Sequence, residues 1–211
     1  GTRGPLPPAR ALPGAFPAFS STAARLRLLQ GRDASDVLSG PVLSRIRARG
    51  LYGTAVHRDL ARRLSPERYQ HTVCVARMAV KLAKRHGLDA ERAAWAGLLH
   101  DCGRAIPADK MASHVRRLRL PIPCRDELLA RAPILVHAHL SEHLARTRYG
   151  VEDPAVLSAV RKHTLGDPRM GPLDRLLFTA DQCSRDRTHA GAERVRRAAK
   201  TSLDEGFFAA A

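Results

Sequence analysis

From about Ser21 onward, apolar positions recur at spacings of three and four and never alternate, so segment after segment reads as helix. Ser65-Pro66-Glu67 is a helix start, with Ser as N-cap, Pro in the first helical position and an acid in the first turn. That helix is predicted to run to His86 and stop at Gly87. Asp89 caps the next, which ends near Asp101 with Gly103 beyond. Pro107 opens a basic helix through about Leu118, and Arg125 to Arg131 form a short one. Pro133 starts a helix ending at Gly150, and Asp153-Pro154 starts one ending near His163. Helices over about 172–184 and 190–206 complete the pattern, which contains no internal repeat. The expectation is an all-α domain.

Composition adjusts this picture in three ways. Apolar residues make up 44% and aromatics 4%, so the core must be built from Ala, Leu and Val, and disorder throughout is excluded. No apolar run is long enough for a membrane span. The four cysteines (Cys74, Cys102, Cys124, Cys183) are far apart and read as reduced thiols of a cytoplasmic protein. The net charge of +16 invites a nucleic-acid reading, but the basic residues are mostly Arg beside abundant Ala. That pattern fits a GC-rich genome, so the composition argues against nucleic acid as the main partner and for attraction to nucleotides. Residues 1–18 hold five prolines and no acid, and are expected to be extended or disordered.

The chemistry gathers at histidines and aspartates. His71 shares a stripe with Val75, Met78 and Leu82, so it lies on an apolar line. His100-Asp101 and Asp181 each end an apolar helical run. His137 lies near His139 and His143, without the H-E-x-x-H of zincins, and His163 ends a helix. Buried alone, such groups are costly; converging on a metal, they satisfy one another. Imidazole and carboxylate together suit iron, manganese, cobalt or zinc.

Six strings in order carry a resemblance: Arg68-Tyr69-x-His71-Thr72, Leu99-His100-Asp101-x-x-Arg104, Val136-His137-Ala138, Lys162-His163-Thr164-x-Gly166, Met170-x-x-Leu173 and Thr179-Ala180-Asp181. Over about residues 62–208 the chain resembles the HD-domain superfamily of metal-dependent phosphohydrolases, and within it the YqeK family of symmetrical diadenosine tetraphosphate hydrolases. The resemblance implies an HD-domain helical bundle with two divalent metal ions, iron first, with manganese or cobalt as alternatives. His71, His100, Asp101 and Asp181 would hold one metal, and Asp101 would bridge to a second on His137 and His163. A hydroxide shared by such a pair would attack the polyphosphate in line. Asp101 and Arg104 would carry the catalysis, with Thr164, Gly166 and Arg187 near the dinucleoside polyphosphate; a homodimer is compatible with this. Helix capping (Thr164, Gly166) and a plain surface charge (Arg187) are competing readings. The sequence departs from the family at Arg104 (usually Lys), His139, Ser141, Leu165 and Gln182–Arg185. These departures keep two alternatives open: an HD phosphohydrolase for another nucleotide, and a metal- and nucleotide-binding sensor without turnover.

The first fifty-five residues carry a second resemblance. Phe19-Ser20-Ser21-Thr22-Ala23-Ala24-Arg25, then Gly40-Pro41-Val42 and Gly50-Leu51-Tyr52-Gly53, are similar to the last two helices of nicotinate-nucleotide adenylyltransferase. The organisation implied is an adenylyltransferase-like remnant at 1–55 and a hydrolase at 56–211. The adenylyltransferase sheet and its G-x-F-x-P-x-H-x-G-H string are absent from the sequence, so adenylyl transfer is not expected. The extension is expected to be a short helical segment, partly disordered or docked through an apolar face.

Overall fold

The structure, a computed structural model, describes residues 20–211. Among these residues there are twelve α-helices and no strand: α1 (Ser21–Leu29), α2 (Gly40–Arg49), α3 (Thr54–Arg63), α4 (Pro66–Arg85), α5 (Ala90–Leu99), α6 (Ala108–Leu118), α7 (Arg125–Arg131), α8 (His137–Thr147), α9 (Pro154–Lys162), α10 (Pro172–Gln182), α11 (Ala190–Thr201) and α12 (Leu203–Ala210). Two 3-10 turns, Cys102–Ala105 and Pro133–Val136, complete the set. The expected N-caps hold: Ser65 accepts from the Arg68 amide, and Asp89 and Asp153 each accept from two amides of the next turn. Two expected helices are divided. The segment after Pro133 begins as a 3-10 turn and becomes α-helical at His137. The last helix breaks at Ser202, whose hydroxyl caps α12 by accepting from the Glu205 amide.

The core is aliphatic and alanine-rich, centred on α4, α5, α9 and α10. The α4–α5 contact shows why small residues were needed. A Cβ on Gly97 would stand 2.6 Å from the Ala76 Cα and 2.9 Å from its nitrogen, so the two helices cross nearly backbone to backbone. Burial of aliphatic side chains at about 25 cal/mol per Å² drives this packing. A second cluster under α6 and α7 holds Met111, Val115, Leu129 and Leu140.

The described part of the N-terminal extension, residues 20–55, is helical and docked. Leu26 and Leu29 of α1 bury themselves among Val80, Ala94 and Trp95. His57 of α3 ties this region down: its Nε2–H donates to the Leu29 carbonyl, and its Nδ1 accepts from the Tyr69 hydroxyl, both at 3.0 Å. The boundary expected after residue 55 falls inside α3. The expectation of extended chain over residues 1–18 lies outside the described residues. No helix of the described residues is long and apolar enough to cross a membrane.

Candidate metal centre

Five of the six candidate ligands come from helix ends, and His71 stands in the second turn of α4. His100 directly follows α5, His163 directly follows α9, His137 follows the 3-10 turn Pro133–Val136, and Asp181 stands in the last turn of α10. Each of the three histidines spends its Nδ1–H on the carbonyl three residues back, on Gly97 at 2.8 Å, Ile134 at 2.8 Å and Val160 at 2.7 Å. Those bonds satisfy carbonyls that a helix end would leave bare, and they fix the tautomer. Every Nε2 is left as a lone pair.

These lone pairs converge inside the protein. His100, Asp101, His137 and His163 are 1%, 4%, 2% and 2% exposed. The His137 and His163 Nε2 atoms face each other at 3.1 Å, and Asp101 Oδ1 lies 3.2 Å from the first and 3.9 Å from the second. The one Thr164 hydroxyl is 3.1 and 3.0 Å from both nitrogens and can donate to only one of them. His100 Nε2 is buried with no hydrogen-bond partner. Orphaned buried acceptors of this kind are expensive, and a cation is what would satisfy them together. The donor atoms group as His71–His100–Asp101, His100–His163–Asp181 and Asp101–His137–His163, each set lying within 4.8 Å. All six sequence-predicted ligands are therefore brought together.

The electrostatics agree with this placement. Burial pushes His163 down to about 3, with His100 and His137 adding to the effect, so the ring is neutral. Burial also lowers His100. Asp101 is driven upward by burial but held well below its ordinary value by His100, His137 and His163. His71 differs. Burial alone would lower it, yet Asp181 and Asp186 raise it, because its Nε2 lies 3.0 Å from Asp181 Oδ1 and its Nδ1 lies 2.6 Å from Asp186 Oδ2.

The cluster forms the floor of a cleft of about 500 Å³. Arg68, Arg104, Thr164, Gln182 and Arg187 line it, as does Asp186. Arg104 Nε lies 3.5 Å from Asp101 Oδ1, and Arg187 bonds Asp181 Oδ1 at 2.8 Å. Gly166 does not line the cleft. Its φ of +69° and its bond to the Lys162 carbonyl make it the left-handed stop after α9. Ser141, one of the departures from the family, does not line the cleft either. It is fully buried and accepts from the Gly103 amide at 2.8 Å, locking the turn that carries Asp101 to α8. Leu165 is exposed, and burial together with Arg161 and His137 holds His139 down to about 4.

Three contributors have no role in the sequence reading, although Arg68 belongs to one of the strings quoted there. Asp186 grips His71 across 115 residues of chain, and Arg68 bonds Asp101 Oδ2 at 3.0 Å. Arg196 of α11 donates to the carbonyls of Cys183, Ser184 and Arg187, pinning the turn that carries Asp186. Arg68 had a local signal, standing one turn before His71; the other two meet the site only through the tertiary fold.

Residues 68–186 match the HD domain. The chain is 34% identical over 144 residues to the Bacillus subtilis protein named symmetrical bis(5'-nucleosyl)-tetraphosphatase, covering 68% of this chain and 75% of that one. It is 26% identical to a Mycoplasma genitalium protein named probable nicotinate-nucleotide adenylyltransferase/Ap4A hydrolase, over 57% of this chain and 33% of that one. A solved Clostridium acetobutylicum structure, titled a predicted HD superfamily hydrolase involved in NAD metabolism, superposes with a TM-score of 0.67 at 30% identity, covering 72% of this chain and 79% of that one.

Proposed function

We propose, since the chain belongs to the HD-domain family in its symmetrical bis(5'-nucleosyl)-tetraphosphatase branch, that it is a metal-dependent hydrolase that cuts diadenosine tetraphosphate into two molecules of ADP. The observation that carries the metal dependence is the set of Nε2 lone pairs turned on one another and on Asp101, with His100 Nε2 orphaned. His71, His100, Asp101 and Asp181 would hold one ion; Asp101, His137 and His163 would hold a second. Bound there, two divalent ions would supply Lewis acidity toward phosphoryl oxygens and would lower the pKa of a bound water. Iron is the ion that the family resemblance favours, and the nitrogen and carboxylate donor set accommodates manganese or cobalt equally.

The chain's own residues do the rest. Arg104 and Arg187 stand over the acidic floor, where guanidinium groups offset charge on the non-bridging phosphate oxygens. Thr164 Oγ1 stays within hydrogen-bond reach of the cleft's interior. Asp186 keeps a proton on His71 Nδ1 and so presents Nε2 as the free donor. Gly166 shapes the loop behind Thr164 and makes no claim on substrate. In the net reaction, water oxygen joins one inner phosphorus and the central bridging oxygen departs with the other ADP.

Residues 56–211 are read as the hydrolase, and the preceding segment as an adenylyltransferase-like remnant; the fused naming of the Mycoplasma relative supports that reading. Its test is limited proteolysis, in which the docked residues 20–55 resist cleavage.

Anaerobic purification, metal analysis and chromatography of products with added iron, manganese or cobalt test the function. Two ADP per substrate, at two metals per chain, is the expected result. ATP and AMP as products would refute symmetrical cleavage. Asp101→Ala is expected to lose metal and hydrolysis together. Light scattering of the same sample tests for a homodimer.

A further inference from the structure

Away from the catalytic cleft, one groove gathers positive charge with no carboxylate to answer it. It runs between the end of α1 and the outer side of α4 and encloses about 310 Å³. Arg32, Arg77, Lys81, Lys84 and Arg185 line it, beside Gln30, and no acidic or aromatic residue does. Arg77, Lys81 and Lys84 follow one face of α4 at spacings of four and three, a run of about 10 Å at 1.5 Å per residue.

The charges are held in place but not neutralised. Arg77 donates through Nε and Nη2 to the carbonyls of Gln30 and Gly31, both at 3.0 Å, which fixes its guanidinium without an anion. Among the described residues, none of the five cations comes within 4.0 Å of a carboxylate. Asp186, next to Arg185, is committed to His71. Several other surface arginines do have a carboxylate, Arg63 and Arg148 in Asp59, Arg146 in Glu142 and Arg175 in Asp204, whereas these five cations share one hollow without one. Five like charges around one hollow repel each other, and a multivalent anion relieves that repulsion.

The lining also selects the kind of anion. Forked guanidinium groups and ammonium groups suit phosphate oxygens. A base would find no ring to stack on. A hollow about 10 Å long suits a short chain of phosphates.

We propose that this groove is an oligophosphate site distinct from the catalytic cleft, filled by inorganic oligophosphate or by the phosphate chain of a nucleotide. Its occupant bridges Arg32 at the end of α1 to Lys81 and Lys84 on α4, and so strengthens the docking of α1. The site stands independently of the hydrolase reading, because its test measures binding and not turnover.

The test is calorimetric titration of the metal-loaded chain with sodium tripolyphosphate, at ionic strength matched with chloride. Lys81→Ala/Lys84→Ala, which removes two exposed side chains, is compared with the unaltered protein and with Arg104→Ala in the cleft. The double variant is expected to lose one binding event, or to weaken it at least tenfold, while keeping its circular dichroism. Arg104→Ala keeps that event. ATP binding as tightly as tripolyphosphate marks the phosphate chain alone as the ligand, and tighter binding marks a nucleotide. Identical isotherms for the double variant and the unaltered protein would overturn the proposal, as would a protein in which sulfate at equal ionic strength matches tripolyphosphate.

Discussion

Gly103→Ala tests how the site is assembled. Gly103 lies in the turn that begins one residue after Asp101, pressed against the start of α8. A Cβ there would stand 2.5 Å from the His137 carbonyl oxygen, 2.8 Å from the Ser141 nitrogen and 2.8 Å from the Ser141 hydroxyl. Two of those three atoms are backbone in a helix and cannot swing aside, so the turn must retreat from α8. Overpacking of this kind, together with loss of the Gly103 amide bond to Ser141, costs about 2–4 kcal/mol. For a chain of this size that lowers the midpoint of thermal unfolding by roughly 5–15 °C. The same retreat draws Asp101 away from His137, so metal content should fall with stability. Ser141→Ala is the comparison. It leaves the Gly103 amide unpaired, at about 1–3 kcal/mol, but introduces no clash. Combining the two changes should not rescue Gly103→Ala, because the backbone contacts persist. Urea unfolding with metal analysis of each variant reads both quantities. A Gly103→Ala protein within about 0.5 kcal/mol of the parent, with full metal, would refute the close approach on which this reasoning rests.

Asp186→Asn should lower metal affinity by roughly 10- to 100-fold, as loss of a carboxylate behind a ligating histidine does, with little change in melting of the metal-free chain; competition with a chromogenic chelator measures it. Burial lowers His57 from its ordinary 6.5, so the folded protein holds it neutral. Stability should therefore be complete above pH 6.5 and decline as pH falls through the lowered folded value, a slope that urea midpoints at several pH values would show and that His57→Gln would remove. Lys162→Met leaves the buried Asp174 carboxylate without its partner at 2.9 Å and should cost about 3 kcal/mol, measured by chemical denaturation. Stripping metal with a chelator should lower the melting temperature of the parent but not that of Asp101→Ala.

Much of this architecture was legible because its signals are local. A capping aspartate satisfies amides two and three residues on, and a glycine stops the helix it follows, so Asp89, Asp153 and Gly87 speak through their near neighbours. The candidate ligands were legible because an imidazole or carboxylate closing an apolar helix is conspicuous, as at Leu99-His100-Asp101. Asp186 was not, since its partner lies 115 residues away and nothing in Arg185-Asp186-Arg187 distinguishes it from a solvated turn. The role of Ser141 was hidden for a related reason: as a departure from the family it carried no structural signal, whereas the direction of α8 turns it inward onto Gly103. The break at Ser202 had a local signal in Ser202-x-x-Glu205, masked by apolar and alanine residues that continue on both sides.

The convergence of helix ends has a further consequence, for the order in which the site can be filled. Helices α5, α9 and α10 all direct their C-termini at one point, and each terminus carries roughly half a negative elementary charge. Added to Asp101 and Asp181, and partly offset by the N-terminus of α8 at His137, they make the metal-free centre a well for cations and a barrier to anything carrying phosphate. A polyphosphate approaching the metal-free chain meets repulsion from the cleft floor that Arg104 and Arg187, already turned toward Asp101 and Asp181, only partly cancel. Loading should therefore be ordered, cation before nucleotide, and nucleotide affinity should climb steeply with metal concentration until the centre is full. On the proposed function, the fold thereby ties recognition of an anionic substrate to prior possession of cations.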